Sequence, residues 1–273
     1  MRTLITTTFV SVAIGVSAYG QAPPEHDAAD LAKQLSNPVA SLVSVPFQLN
    51  WEQGVGPGED LRTLINFQPV LPFSLTPGTN LVARIILPYV SQPSLAAGAA
   101  PTSGFGDILF SMFFSPARSK GVIWALGPVL SLPMSADPFL GSGKWGIGPT
   151  GIVLKQAGSW TVGALVNHVW SFAGDPDRAD VSQTFIQPFL AYGLKSGVTL
   201  TLQSESSANW KAESGEEWTV PINGQVSKVV KLGRHPMSIA FGAGYYVESP
   251  EGGPEWKIRT AITLLFPTAS PAK

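Results

Sequence analysis

The chain has 273 residues, 44% hydrophobic and 13% charged, with a net charge of −1. Soluble domains carry about a quarter charged residues and nucleic-acid binders a basic surface, so this chain is charge-poor for the first and unsuited to the second. The absence of cysteine excludes disulfides, thiolate catalysis and zinc–thiolate sites, and 28 Gly with 24 Pro argue against long helices.

The first predicted element is a secretory signal peptide over residues 1–22. Arg2 is the only charge before Glu25, an uncharged stretch covers residues 3–20, and small residues offer cleavage after Ala18 or Ala22. The apolar centre, residues 9–16, falls short of the ~20 residues of a spanning helix, and without cysteine there is no lipobox. Residues 23–38 form a periplasmic segment with a helical turn near 31–36, ended by Asn37-Pro38. That segment either reaches into a barrel as a plug or hangs free.

From residue 39 the pattern has period two. In 39–51 one face reads Val39, Ser41, Val43, Val45, Phe47, Leu49, Trp51, and the other carries Ser44, Gln48 and Asn50. In 61–75 the apolar face is Leu61, Ile65, Phe67, Leu71 and Phe73, opposite Arg62, Asn66 and Gln68. Similar segments fall at 81–92, 104–116, 122–134, 145–156, 159–172, 182–193, 197–209, 217–229, 236–248 and 255–266. About twelve strands, joined alternately by short and long connections, predict an all-β fold: a transmembrane antiparallel up-and-down β-barrel over 39–266. A tail covers 267–273. Pro46, Pro69, Pro88, Pro128, Pro149, Pro188 and Pro221 inside strands mark bends, or lateral openings.

Charge follows the connections. The short ones and adjoining strand ends hold Arg118, Lys120, Lys155, Lys195, Lys228, Lys231 and Arg234. The long ones hold acids, among them Glu52, Asp60, Asp137, Asp175, Asp177, Asp180, Glu217 and Glu255. Solvated loops account for this, as does an acidic rim for divalent cations. Trp51, Tyr89, Trp145, Trp160, Trp170, Tyr192, Trp210, Trp218 and Trp256 near strand ends fit aromatic girdles. The last strand ends in Phe266, resembling the closing strand that barrel-assembly machinery reads.

With the apolar face outward, the lumen receives Gln48, Asn50, Arg62, Asn66, Gln68, Arg84, Asp107, Gln203, Glu205, Asn223, Gln225, Lys257 and Arg259. These charges either line a narrow aqueous path or pair up and close the barrel. No catalytic or metal-binding motif appears, so neither cofactor nor metal is expected. His168 shares the outward face with Val162, Val166 and Trp170; the residue two along on that face is Trp170 rather than Ser, so a lipid-facing His–Ser hydrolase needs a second strand to bring in Ser or Asp.

Several phrases resemble a family of bacterial outer-membrane barrels described as transporters: Asn37-Pro38-Val39-Ala40-Ser41-Leu42-Val43-Ser44-Val45-Pro46-Phe47-Gln48, Leu140-Gly141-Ser142-Gly143-Lys144-Trp145, Asn167-His168-Val169-Trp170-Ser171, Gln187-Pro188-Phe189 and Trp218-Thr219-Val220-Pro221-Ile222. That family is related to the barrels of meta-pathway phenol degradation, and some members carry the label neuromedin U. The resemblance covers residues 31–266. It implies outer-membrane lipid and the export and assembly machinery as partners. The implied function is passive passage of small solutes, hydrophobic or aromatic ones favoured. The alternative is a closed structural barrel of the envelope.

Overall fold

The computed structural model describes residues 27–96, 98–119, 121–135, 137–233 and 235–267. The signal peptide expected over 1–22, residues 23–26, Lys120, Arg234 and residues 268–273 lie outside the described residues.

Alternation of side chains between two faces produces one continuous antiparallel sheet that closes on itself. Its segments are β1 (Leu42–Val55), β2 (Asp60–Phe67), β3 (Val70–Thr76), β4 (Thr79–Gln92), β5 (Thr102–Phe105), β6 (Ile108–Pro116), β7 (Val122–Leu132) and β8 (Lys144–Ala157). They continue as β9 (Trp160–Gly174), β10 (Ser182–Gly193), β11 (Val198–Ser204), β12 (Ser206–Asn209), β13 (Trp218–Leu232), β14 (His235–Glu248) and β15 (Trp256–Pro267). β2 with β3, β5 with β6, and β11 with β12 are each one interrupted stave, so the wall has twelve staves. Closure comes from β1 against β15, with Val43 opposite Phe266 and Trp51 opposite Ile258. The β2–β3 interruption falls at Pro69, which has no ladder N–H, and opposite the Val220–Pro221 step of β13 the strand β14 bulges at Val247. These two prolines sit at local distortions of the wall.

One rim carries the short turns and the other the longer connections, except that residues 56–59 between β1 and β2 are as few as those of the turn at 194–197. The first strand starts later than 39 because Asn37 ties down the preceding turn: Val39 N donates to its Oδ1 (3.1 Å) and Ala40 N to its carbonyl (3.0 Å). The strand also runs past Trp51 to Val55, which corrects the assignment of Glu52 to an outer loop.

The outer surface is apolar at mid-height: Phe47, Trp124, Leu126, Val153, Val162, Leu200, Leu202, Phe241 and Ile262 all stand exposed. A surface of that kind is expensive in water and suited to hydrocarbon. No helix among the described residues is long and apolar enough to cross a membrane, which says nothing of the strands. Inside, the two halves of the barrel differ. Val82, Phe113, Ala125, Ile152, Leu154, Leu165 and Phe189 form an apolar cluster along β4 and β6–β10. The polar side chains face it from β1, β2 and β11–β15.

The segment before β1 is docked in the turn-side mouth. Its helix α1 (Ala28–Leu35) starts at Asp27, whose carboxylate accepts from Ala29 N (3.4 Å). Leu31 (1% exposed) and Ala32 pack against Leu42, Val229 and Leu265. Gln156 Nε2 donates to the Lys33 carbonyl (3.0 Å), and the Ser36 and Thr161 hydroxyls meet at 2.9 Å.

Candidate functional site

Inward positions of β1 and β15 lie side by side in register, Asn50 opposite Arg259 and Glu52 opposite Lys257. On β14 the inward residues between them and β11–β12 are small, including Gly242 and Gly244, so long cationic side chains can reach across. A Cβ on Gly244 would lie 2.2 Å from Asn223 Oδ1 and 3.2 Å from Lys257 Cε, so a larger residue would displace these two side chains.

The result is a belt across the barrel. Arg259 makes a bidentate pair with Glu205 (2.9 and 2.6 Å) and donates from Nε to Asn50 Oδ1 (2.6 Å). Lys257 Nζ adds a third contact to Glu205 at 3.4 Å. Glu205 sits at the interruption between β11 and β12. Toward the loop rim a second group forms: Arg62 on Glu52 (2.8 and 2.7 Å), with the Tyr246 hydroxyl donating to the other oxygen of Glu52 (2.6 Å). Toward the turn rim a chain of amides extends the belt. Gln48 lies 3.0 Å from Gln68 and 3.0 Å from the Arg259 guanidinium, and Gln187 donates to Gln203 (3.0 Å). Arg84 donates to Gln68 Oε1 at 2.8 Å.

Between this belt and the docked N-terminal segment lies a cavity of about 270 Å³. Leu35, Pro38, Leu42, Val70 and Phe189 line its apolar side, and Gln68, Arg84, Thr201, Gln203 and Gln225 its polar side.

The sequence-predicted lumenal residues fall out as follows. Gln48, Gln68, Glu205, Lys257 and Arg259 converge on the belt, Arg62 on the upper group and Arg84 on the cavity. Asn66 reaches Gln48 (3.3 Å), and the buried Asn223 amide has no hydrogen-bond partner. Asp107, also on the inward parity, stands apart from the belt. It follows Gly106 at the β5–β6 interruption, and its carboxylate accepts from Met134 N (3.1 Å), Ser142 N (2.6 Å) and Ser142 Oγ (2.7 Å). It staples the connection 133–143 instead, and Gln92 holds the same connection at the Phe139 carbonyl (2.9 Å). In that connection the Thr102 hydroxyl, then Phe139 N, hold the Asp137 carboxyl below its usual range. Glu52 and Tyr246 were missed as lumenal residues. The signal for Glu52 was available: it continues the inward parity of Gln48 and Asn50.

Of the aromatic candidates, Trp51, Tyr89, Trp145, Trp170, Trp218 and Trp256 occupy the loop-side parts of their strands. Trp160 is at the turn rim, its ring 4.7 Å from that of Tyr192. Trp210, in the connection after β12, meets Trp218 edge-on at 5.8 Å. His168 is on the outward parity of β9, and β10 brings two hydroxyls to it: Thr184 Oγ1 2.7 Å from Nδ1 and Ser182 Oγ 3.4 Å from Nε2. Trp210 Nε1 also donates to Thr184 (2.8 Å), and the Trp170 ring lies 4.0 Å away.

No protein-family model and no curated protein matches the chain. Among solved structures it is similar to an outer membrane channel from Pseudomonas putida F1, at 16% identity and TM-score 0.60, over 82% of this chain and 94% of that one. Escherichia coli outer membrane phospholipase A is a more distant likeness, at 13% identity and TM-score 0.44, over 83% and 91% of the two chains. The likeness to the Pseudomonas protein shows a shared barrel fold.

Proposed function

We propose that this chain is an outer-membrane channel for passive passage of small solutes, held closed here by residues 27–40. One observation carries the reading: the barrel is apolar outside, yet its interior holds a belt of charges and amides above a cavity that the N-terminal segment closes. The wall needs lipid, and the belt needs water or a polar solute. The Pseudomonas protein of similar fold is itself an outer membrane channel, which supports this reading. Export through the N-terminal signal, its cleavage after Ala18 or Ala22 and insertion by barrel-assembly machinery belong to the same reading. No reaction and no cofactor is part of it. An apolar or aromatic cargo fits the apolar side of the lumen and the family resemblance.

The test is single-channel conductance in a planar bilayer of the chain from Pro23 onward and of a variant lacking residues 23–38. Discrete conductance that rises in the deletion is expected. Silence from both replaces the channel with a closed structural barrel. A second reading has an observation of its own, because β10 does place Ser182 beside His168 on the lipid side. Against it, the contact is long, and a threonine rather than a carboxylate faces Nδ1. Lipid hydrolysis by the purified protein that is lost in His168→Ala would establish that activity.

A further inference from the structure

The mid-barrel charges do not balance. Four cations, Arg62, Arg84, Lys257 and Arg259, face two carboxylates, Glu52 and Glu205. Glu52 is taken by Arg62 and Tyr246, and Glu205 by Arg259 and Lys257. Arg84 is left with the neutral amide of Gln68 (2.8 Å) and no carboxylate in ion-pair contact among the described residues. Glu205 lines the same cavity and acts on Arg84 from a distance, but its oxygens are bonded to Arg259 and Lys257. An enclosed guanidinium with no counter-charge in contact is costly, and an anion seated against it lowers that cost. Arg84 faces the cavity of about 270 Å³.

The wall around that position sets the rest of the ligand. Val70 is the cross-strand neighbour of Arg84, and Val70 and Phe189 belong to the apolar cluster that fills one half of the barrel. Leu35 and Pro38 of the docked segment close the cavity on the turn side. A bare inorganic anion would leave these apolar surfaces against water. At about 30 Å³ per water the space takes roughly nine waters, room for a molecule of modest size.

We propose that the cavity is a binding site for a small amphipathic monoanion, with its carboxylate on Arg84 and Gln68 and its apolar body against Val70, Phe189, Leu35 and Pro38. That such an anion is cargo rests on the channel reading; the binding itself rests on Arg84 and the cavity. The orientation follows from the same residues, because among the described residues that line the cavity Arg84 is the one cation, and Val70, its cross-strand neighbour, begins the apolar side.

The experiment is a ligand-observed NMR titration of the full mature chain in lipid nanodiscs at 100 mM NaCl. Hexanoate is compared with its uncharged near-isostere hexanamide, and empty nanodiscs supply the background. Saturable hexanoate binding at least about tenfold tighter than hexanamide is expected, the scale of a charge-assisted hydrogen bond. Arg84→Gln should remove the preference by weakening hexanoate far more than hexanamide, whereas Arg84→Lys should retain part of it. Folding of each variant is checked by heat-modifiable electrophoretic mobility. Should Arg84→Gln not fold, the wild-type ratio and Arg84→Lys decide. Equal binding of the two ligands by the wild type, or a full preference in a folded Arg84→Gln, overturns the proposal. Hexanoate binding in a barrel that never conducts would sink the channel reading and leave the site; conductance without the preference would do the reverse.

Discussion

At the scale of single residues, the pair Arg259–Glu205 decides how the interior is held together. Both side chains are largely removed from solvent, at 6% and 19% exposure, and their contact is bidentate. Burying such a pair brings little net stability, but breaking it strands a charge, at a cost of about 3–5 kcal/mol. Glu205→Gln is therefore expected to be strongly destabilising, because it strands Arg259 and Lys257 together, and adding Arg259→Gln should restore part of the loss, leaving Lys257 alone unpaired. Urea unfolding in lipid vesicles of the two single variants and the double variant measures this. Additive losses would mean that the pair is screened by water and contributes no coupling. His168 illustrates the opposite case. Its neighbours Ser182 and Thr184 come from β10, and no reading of one strand can show what the next strand sets beside it.

At the scale of elements, α1 has the energetics of a removable part. Burying Leu31 is worth about 1.5–3 kcal/mol, and hydrogen bonds such as those of Gln156 and Ser36 about 1 kcal/mol each. Ordering the segment opposes these gains through lost chain entropy, so the docked state rests on few contacts and its margin is sensitive to any one of them. Gly197, in the turn between β10 and β11, is where that margin can be tested. Its φ is +76° and a Cβ there would lie 2.8 Å from the Ala28 Cβ. Gly197→Ala should push α1 off its seat and raise conductance toward that of the variant lacking residues 23–38, with limited proteolysis reporting the freed segment. Wild-type conductance with a protected segment would show that the plug tolerates the shift. The staves were legible in the sequence because one face of each must be apolar for lipid, and that demand writes a two-residue period. The lumen was less legible because its occupants obey no period. Asp107 sits on the inward parity but is consumed by backbone N–H groups of residues 133–143, a partnership that depends on how a long connection folds. On β4 and β6–β10 the inward face mixes apolar residues with a few polar ones such as Arg84, Thr150 and Asn167, so alternation alone could not reveal that Val, Leu, Ile and Phe cluster on that side of the interior.

At the scale of the whole molecule, the division of the interior into an apolar half and a cationic half sets what the barrel passes once open. Ion selectivity in a narrow pore follows the fixed charge on its wall, and here four cations outnumber two carboxylates in the middle of the barrel. The open channel should prefer anions. Arg84 is the position at which to test this, because its direct partner is an amide and reversing it strands no carboxylate. Arg84→Glu leaves three cations and three carboxylates along the path, so the preference should fall away. The measurement is the reversal potential under a KCl gradient, taken in the variant lacking residues 23–38 so that the plug does not limit the current. A shift from the anion side toward zero is expected on substitution. An unchanged reversal potential would mean that ions bypass Arg84, and the path would then have to run along the Glu52–Arg62 side of the belt or outside the lumen altogether.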